Sequence, residues 1–127
     1  MPQTAARAAQ GRPEAAVVLT KALLRAADRL ALRQRDLAAI LGSSEASVSR
    51  LNQERRLEPE SKEGELALLF LRAYRSLDAL VGGDTAAARE WLHADNTHVG
   101  GIPAERIRTV EGLVDVVRYL DAMRGTL

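Results

Sequence analysis

The spacing of apolar residues constrains the fold of this 127-residue chain more than any other feature. Over residues 15–32, and again over residues 62–81, apolar side chains recur at steps of three and four residues. This spacing places them along one face of an α-helix, which must be buried against a neighbour. Leucines and valines between Leu113 and Leu120 keep the same spacing, and no pair of segments shows the alternation of paired strands. The sequence therefore predicts an all-α fold.

Short helices are predicted between the first two long ones. Residues 34–41 form the second helix, and Gly42 ends it because glycine readily takes the left-handed conformation of a helix end. Ser43 or Ser44 can cap a third helix that runs to about Gln53. The polar stretch NQERRLEPES, which contains a proline, is then predicted to be a connector.

Three more helical segments are predicted near the C-terminus. A glycine pair ends the helix that starts near Lys62, and Asp84 can cap the next helix. Pro103 can occupy the first turn of a short helix, because its missing amide needs no partner there. Thr109 can cap a last helix that runs to about Met123.

Charge is distributed unevenly, although the formal net charge is only +1. Residues 1–56 hold 10 Lys+Arg against 5 Asp+Glu, whereas residues 57–127 hold 8 against 12. A basic segment attracts a polyanion such as nucleic acid, and an acidic segment repels it. The sequence therefore predicts two parts with different kinds of partner.

Composition excludes several classes of protein. The chain has no cysteine, which excludes a disulfide framework and a zinc-thiolate site. No apolar run approaches the roughly 18–20 residues of a membrane-spanning helix, and the first residues lack the apolar region of a secretory signal. We therefore expect a soluble, unsecreted protein of a reducing compartment such as the cytoplasm.

The segment LRQRDLAAILGSSEASVSRLNQ, residues 32–53, resembles a helix-turn-helix of the Xre/Cro repressor type. In this resemblance Leu37 and Leu41 belong to the core, Ala38 is the small residue where the helices cross, and Gly42 makes the turn. The resemblance implies that the second helix of the pair enters the major groove of DNA.

The DNA-facing residues are predicted from the helical angle of about 100° per residue. If the apolar residues of the second helix face inward, Arg50 lies on the outward arc, where it could bind a guanine edge or a phosphate. Gln34, at the start of its helix, would hold a phosphate, and Arg55 and Arg56 would add nonspecific positive charge. The predicted DNA-binding residues are Gln34, Ser44, Ala46, Ser49, Arg50, Gln53, Arg33 and Arg35.

The stretch WLHADNTHVGGIP, residues 91–103, admits two interpretations. His93, Asp95 and His98 bring three nitrogen and oxygen donors within six residues, which could in principle hold zinc. Against this, successive side chains of a short loop diverge, and no fourth ligand is indicated. No nucleophile elbow and no phosphate-binding glycine motif is present either. We interpret the stretch as a connector that acts through contacts, and expect no metal, no cofactor and no enzymatic activity.

Residues 71–125 resemble the toxin-binding domain of the Xre/MbcA/ParS family of type II antitoxins. The family pattern is a helix carrying Trp-Leu, a loop with Asn and Gly-x-x-Pro, then Gly and a helix with valines at intervals. The matching residues are Trp91, Leu92, Asn96, Gly100, Gly101, Pro103, Gly112, Val116, Val117 and Leu120. Together with the helix-turn-helix in front, the resemblance covers about residues 15–125.

The resemblance implies an antitoxin that has no chemistry of its own. Its C-terminal domain would bind a toxin encoded beside it, most often a RES-domain enzyme that destroys NAD, and would obstruct the NAD pocket. The helix-turn-helix would repress the shared operon, as a homodimer or within a larger toxin-antitoxin assembly. The expected toxin-binding residues of the motif and the tail are Trp91, Asn96, Gly101, Pro103, Tyr119, Met123, Arg124, Gly125, Thr126 and Leu127.

The residue types indicate different roles within this set. Trp91 is interpreted as a core residue first, because a lone tryptophan in a chain with 3% aromatic residues is a natural core filler. Gly100, Gly101 and Pro103 are expected to shape a turn. The tail MRGTL either frays or inserts into a cleft of the toxin.

These observations predict three parts: a flexible N-terminus over residues 1–14, a helix-turn-helix DNA-binding domain over residues 15–58, and a helical toxin-binding domain packed with it over residues 59–127. The alternative is a stand-alone transcriptional regulator of the same ancestry whose C-terminal domain only dimerises.

Overall fold

The computed structural model describes the backbone of residues 2–125 and the side chains of residues 14–125. The described helices are α1 (Pro2–Arg29), α2 (Gln34–Leu41), α3 (Glu45–Ser49), α4 (Lys62–Leu80), α5 (Thr85–His93), the 3-10 turn Thr97–Val99, α6 (Pro103–Arg106) and α7 (Val110–Arg124). No β-strand occurs among these residues, so the predicted all-α fold is confirmed. Of the described helices, none combines the length and the apolar character needed to cross a membrane.

The first helix differs at both ends from the prediction over residues 15–32. Helical backbone begins at Pro2 and ends at Arg29. It ends early because Ala31 takes the left-handed conformation, with φ of 58°, and the amide of Leu32 donates to the carbonyl of Ala27 at 2.9 Å. The flexibility expected for residues 1–14 stays a prediction.

The third helix is shorter than predicted. The hydroxyl of Ser44 caps it by accepting from the amide of Ser47 at 3.1 Å, but the helix ends at Ser49 rather than near Gln53. Beyond it, the carbonyl of Arg50 accepts from the amides three, four and five residues later, at 3.1–3.2 Å. Asn52 then has φ of 69°, so the chain reverses in a tight turn. The prediction of a helix to Gln53 is therefore wrong.

A single core joins the two halves of the chain. Leu23 of α1, Leu57 of the connector, Phe70 of α4, and Leu113 and Leu120 of α7 belong to one buried cluster, each 2% exposed or less. The central helix is α4, which contacts α1, α2 and α5 and packs most extensively against α7. Burial of each such side chain stabilises the fold by about 1.5–3 kcal/mol, so the shared core holds both halves in a fixed arrangement.

The connector is attached to α1 through Thr20. This side chain is fully buried, and its hydroxyl donates to the carbonyl of Ala16 at 2.7 Å. The same oxygen accepts from the amide of Leu57 at 2.8 Å. A buried hydroxyl and a buried amide without partners would each be costly, so this pair fixes the connector beside the first helix.

Candidate functional site

The predicted DNA-binding residues lie on the surface of α2, α3 and the turn that follows α3. All of them are exposed: Arg33, Gln34, Arg35, Ser44, Ala46, Ser49, Arg50 and Gln53. Gln34, Ser49 and Gln53 line one groove of about 410 Å³, which extends to Asp28 at the end of α1. The structure therefore brings residues of both helices of the pair to one surface.

Three arginines of this surface carry charge that is available to a partner. Within the described part of the chain, Arg33, Arg35 and Arg50 form no ion pair. Exposed guanidinium groups of this kind bind phosphates and guanine edges. The hydroxyl of Ser49 donates to the carbonyl of Ala46 at 2.7 Å, so toward a partner it is left as an acceptor.

Arg55 does not contribute to this surface, which corrects its predicted role as nonspecific charge. Its Nε donates to the carbonyl of Ser47 at 2.8 Å, and its two terminal nitrogens donate to the carboxylate of Glu63, both at 3.0 Å. The hydrogen bonds and positive charge of Arg55 outweigh burial and hold the pKa of Glu63 below its usual range. Arg55 therefore attaches the C-terminal turn of α3 to α4.

A carboxylate occupies the start of α2, where Gln34 is predicted to hold a phosphate. Oδ2 of Asp36 accepts from the amide of Arg33 at 2.8 Å, and its Oδ1 lies 3.6 Å from Nη1 of Arg108. A phosphate at this helix start must therefore bind through the remaining free amides and the Gln34 side chain. Arg108 also links the segment before α7 to the helix-turn-helix.

The loop between α5 and α6 is closed by Asn96 and Gly101. The amide of each donates to the carbonyl of the other, at 3.0 Å in both cases. The side chain of Asn96 also accepts from the amide of His98 at 2.9 Å. Gly100 and Gly101 have φ of 80° and 147°, which side chains rarely permit. The predicted turn-shaping role of the glycines is confirmed.

Arg106 fastens this loop to α7. Its Nε donates to the carbonyl of Val99 at 2.9 Å, and its Nη2 donates to Oδ2 of Asp115 at 2.6 Å. The same side chain lies against the two glycines, where an added Cβ would stand 3.6 Å or 3.8 Å from it. Sequence reasoning missed Arg106, because a loop carbonyl and a carboxylate on the next helix leave no local pattern.

Three aromatic rings form a stack on the surface of the C-terminal half. The ring of Tyr119 in α7 stacks with those of Trp91 and His98, at centroid distances of 6.3 Å and 5.4 Å and interplanar angles of 8° and 10°. We call these three residues the ring stack. Trp91 packs against the core but is only half-buried, so the prediction that it is a core residue holds for only part of its side chain. His98 is exposed, and stacked pairs contribute about 0.5–1.5 kcal/mol each.

The sequence pattern indicated for His98 only a possible role as a zinc ligand. In the described part of the chain, no three His, Asp or Glu side chains are placed to hold a metal ion. Its stacking on Tyr119 joins residues 21 positions apart, a contact that no local sequence signal reveals. His98 is exposed, and Trp91 and Tyr119 are partly buried, so the ring stack offers apolar area together with hydrogen-bonding groups, which suits a contact surface.

The remaining predicted toxin-binding residues differ in burial. Pro103 begins α6, as predicted, and is buried, so it can act only on the shape of this region. Met123 is 40% exposed one helical turn beyond Tyr119, and Arg124 is exposed beside it. Gly125 caps α7. Thr126 and Leu127 lie outside the described residues.

Comparison with known families gives two matches. The family described as antitoxin Xre-like helix-turn-helix domain matches residues 9–72, and the family described as antitoxin Xre/MbcA/ParS C-terminal toxin-binding domain matches residues 76–125. A comparison with curated proteins gives no match. The boundary between the two matched regions falls within α4, the helix at the centre of the shared core.

Proposed function

Because the chain belongs to the Xre-like antitoxin family, we propose that it binds and neutralises a cognate RES-type toxin and represses its own operon by binding operator DNA. The observation that carries this proposal is the order of the two matched regions. A DNA-binding domain over residues 9–72 is followed directly by a toxin-binding domain over residues 76–125. The RES class and the destruction of NAD rest on the resemblance of the Trp-Leu, Asn and Gly-x-x-Pro motif.

Toxin binding is assigned to the ring stack and the end of α7. Trp and Tyr are enriched among the residues that dominate binding energy, because they bury large areas with few rotatable bonds. Met123 extends the apolar surface from Tyr119, and Arg124 places a positive charge at its edge. Residues 125–127 would continue from here toward the NAD pocket of the toxin. Covering that pocket excludes the substrate, so the antitoxin needs no catalytic group.

DNA binding is assigned to the exposed surface of α2 and α3. Since α3 has only five residues, base contacts would come from Ala46, Ser49 and Arg50, with Gln53 contributing from the turn. Arg33 and Arg35 would bind the phosphate backbone. A homodimer would place two such surfaces on half-sites about 34 Å apart, one turn of B-DNA.

The proposal is tested by co-expressing the full chain with the protein encoded beside its gene. We expect growth rescue and co-purification with the wild-type chain, and loss of both with Tyr119→Ala, which removes the ring that forms both stacked pairs. Val110→Ala is the matched control, because Val110 is a 59% exposed apolar residue of the same helix outside the ring stack. A wild-type chain that neither rescues growth nor co-purifies would contradict the antitoxin function. It would leave the stand-alone transcriptional regulator as the remaining interpretation.

The class of toxin is tested in the same cells by measuring NAD. A RES-type toxin lowers cellular NAD when expressed alone, and the wild-type chain should restore it. Growth arrest without a change in NAD would reject the RES class while leaving the antitoxin function in place.

A further inference from the structure

One carboxylate on the proposed DNA-binding surface is not explained by the contacts of the fold. The helices α2 and α3 carry one acidic residue each, Asp36 and Glu45. Asp36 accepts from the amide of Arg33 and lies 3.6 Å from Arg108. Glu45 is exposed and forms no ion pair with any residue that the structure describes. Its negative charge stands on a surface that has to approach the phosphate backbone of DNA, where it would be repelled.

The exposed arc of α3 runs from Glu45 at one edge to Arg50 at the other. At about 100° per residue, Ser49 lies about 40° around the helix from Glu45. Ala46 follows at about 100° and Arg50 at about 140°. Val48 is buried on the opposite side of the helix. The residues at the start of a recognition helix contact base edges, so both edges of this arc are in reach of the bases.

The two edges of the arc differ in hydrogen-bonding character. An ionised carboxylate only accepts hydrogen bonds, and a guanidinium only donates them. Ser49 adds an acceptor beside Glu45, because its hydroxyl hydrogen is already used by the carbonyl of Ala46 at 2.7 Å. Ala46 itself offers only a methyl group between the two edges. We call Glu45 and Ser49 the acceptor edge of α3.

The acceptor edge matches the major-groove pattern of one base. Cytosine presents an amino donor there and no acceptor, whereas guanine presents two acceptors and thymine presents one. Adenine also presents an amino group, but its N7 acceptor lies beside that group and would repel a carboxylate. We propose that Glu45 determines the sequence specificity of this chain by accepting a hydrogen bond from the amino group of a cytosine in the operator.

The same carboxylate disfavours other sequences. The exposed side chains of Arg33, Arg35 and Arg50 attract the phosphates of any duplex, whatever its sequence. Away from a cytosine, the carboxylate of Glu45 would lose water and face acceptor atoms without a compensating hydrogen bond. Specificity is a difference between two affinities, and a group that repels the wrong partner increases it. Glu45 therefore lowers the affinity for nonspecific DNA more than the affinity for the operator.

This inference rests on the proposed binding of operator DNA and adds the base that is read. The probe is a duplex from the region directly upstream of the gene for this chain, together with each of its single-base-pair variants. Fluorescence anisotropy measures their affinities for the full chain. Replacing the cytosine read by Glu45 should weaken wild-type binding by roughly 10-fold. Glu45→Ala should lose this preference, and Glu45→Gln should transfer it to adenine, because a glutamine amide pairs with N6 and N7 of adenine.

Removal of one amino group from the DNA tests the contact itself. In a duplex where 2-pyrimidinone replaces that cytosine, the base lacks the amino group. Binding of the wild-type chain should weaken by roughly 10-fold, and binding of Glu45→Ala should change little. The analogue pairs less well with guanine, but this affects both chains equally, so the difference between them isolates the contact.

Glu58→Ala is the matched control for the loss of a negative charge. Glu58 is an exposed glutamate of the connector, outside α2 and α3, and it forms no ion pair in the described part of the chain. Its removal should raise the affinity for all duplexes alike, because phosphate repulsion falls, and should leave the order of base preferences unchanged. Circular dichroism verifies that each variant folds.

The outcomes separate this inference from the proposed function. If the wild-type chain binds the upstream duplex no better than an unrelated duplex, the proposed repression fails and the inference fails with it. If the wild-type chain binds specifically and Glu45→Ala keeps the same base preferences, only the inference fails. Equal losses for the wild-type chain and Glu45→Ala on the 2-pyrimidinone duplex would also overturn it.

Discussion

The helix-turn-helix half and the C-terminal half each fasten a binding segment with one arginine. In both Arg55 and Arg106, Nε donates to a backbone carbonyl seven or eight residues earlier, at 2.8 Å and 2.9 Å. The terminal nitrogens of each guanidinium donate to a carboxylate on the long helix that follows. That carboxylate is Glu63 on α4 for Arg55 and Asp115 on α7 for Arg106. We call each of these an arginine clamp.

The long helices that follow the clamps also begin alike. Ser61 caps α4 by accepting from the amide of Gly64 at 3.0 Å, and Thr109 caps α7 by accepting from the amide of Gly112 at 3.1 Å. A Cβ on either glycine would lie 1.9 Å from the carbonyl oxygen six residues earlier. The preceding segment therefore approaches each helix as closely as glycine allows.

The two clamps differ in strength and in what they hold. Arg55 binds Glu63 through two hydrogen bonds of 3.0 Å, and Glu63 is 29% exposed. Arg106 binds Asp115 through one hydrogen bond of 2.6 Å, and Asp115 is 44% exposed. The first fixes the turn after α3, and the second fixes the loop that carries His98. One local arrangement thus supports the segment proposed to read DNA in one half and the loop proposed to contact the toxin in the other.

The largest expected effects come from the two glycines. Gly64→Ala and Gly112→Ala should each lower the free energy of unfolding by about 3 kcal/mol, because the new methyl group meets a backbone carbonyl that cannot rotate away. Urea denaturation measures the loss. Gly125→Ala is the control, since its Cβ would stand 3.5 Å from its nearest neighbours and should change stability little. If only one of the two glycines is sensitive, the two helix starts are not equivalent.

Removing the clamps sharpens the comparison between the halves. We expect Arg55→Ala to lower the free energy of unfolding by about 2–3 kcal/mol, because it leaves the half-buried carboxylate of Glu63 and the carbonyl of Ser47 without their partner. Arg106→Ala should lower the free energy of unfolding by about 1–2 kcal/mol, since its partner Asp115 is more exposed than Glu63. Arg118→Ala, an exposed arginine of α7, is the control. A greater loss of stability for Arg106→Ala than for Arg55→Ala would mean that the second clamp is the stronger of the two.

Arg50 tests the DNA half alone. Arg50→Ala should weaken operator binding by about 1–3 kcal/mol, because it removes the exposed guanidinium that is proposed to bind a base edge or a phosphate. Toxin binding should be unchanged, because Arg50 is outside the toxin-binding match over residues 76–125. Fluorescence anisotropy with operator DNA measures the effect. An unchanged operator affinity would mean that the exposed surface of α3 is not the reading surface.

The smallest expected effect is the pH dependence of the first clamp. Since the pKa of Glu63 in the folded chain lies below its ordinary value of 4.5, the stabilisation is complete above that value and is lost as the pH falls through the lowered pKa. Glu63→Gln should therefore be less stable than the wild-type chain at neutral pH, by about 1 kcal/mol. The difference should shrink in acid.

Glu111→Gln is the matched control for this pH dependence, because Glu111 occupies the same position at the start of α7 and is exposed. Chemical denaturation over a series of pH values compares the two variants. A constant stability gap between Glu63→Gln and the wild-type chain, independent of pH, would contradict the role of the ionised carboxylate.

Features that depend on local chemistry could be predicted from the sequence. Asp84 and Thr109 cap the helices expected of them, and Gly42 ends α2 with φ of 66°, because each acts within four residues of its position. The length of α3 was predicted wrongly. The helix is ended by the carbonyl of Arg50, which accepts from three later amides, and by the left-handed backbone of Asn52, in a stretch whose residues also suit a helix.

The contacts that organise the binding surfaces could not be predicted in this way. The partners of the clamps include carbonyls whose direction is set only after the chain has turned. The ring stack joins α7 to a helix and a loop more than twenty residues earlier. Sequence patterns locate the parts of each surface, but packing between helices determines which side chains meet.

The most direct test of the account is inhibition of the purified toxin by the full chain and its variants. The wild-type chain and Arg50→Ala should stop NAD degradation at equal amounts of chain and toxin, whereas Tyr119→Ala should leave most of the activity. This result would assign toxin binding to the ring stack and separate it from the DNA half. Full inhibition by Tyr119→Ala, or loss of inhibition by Arg50→Ala, would contradict that division.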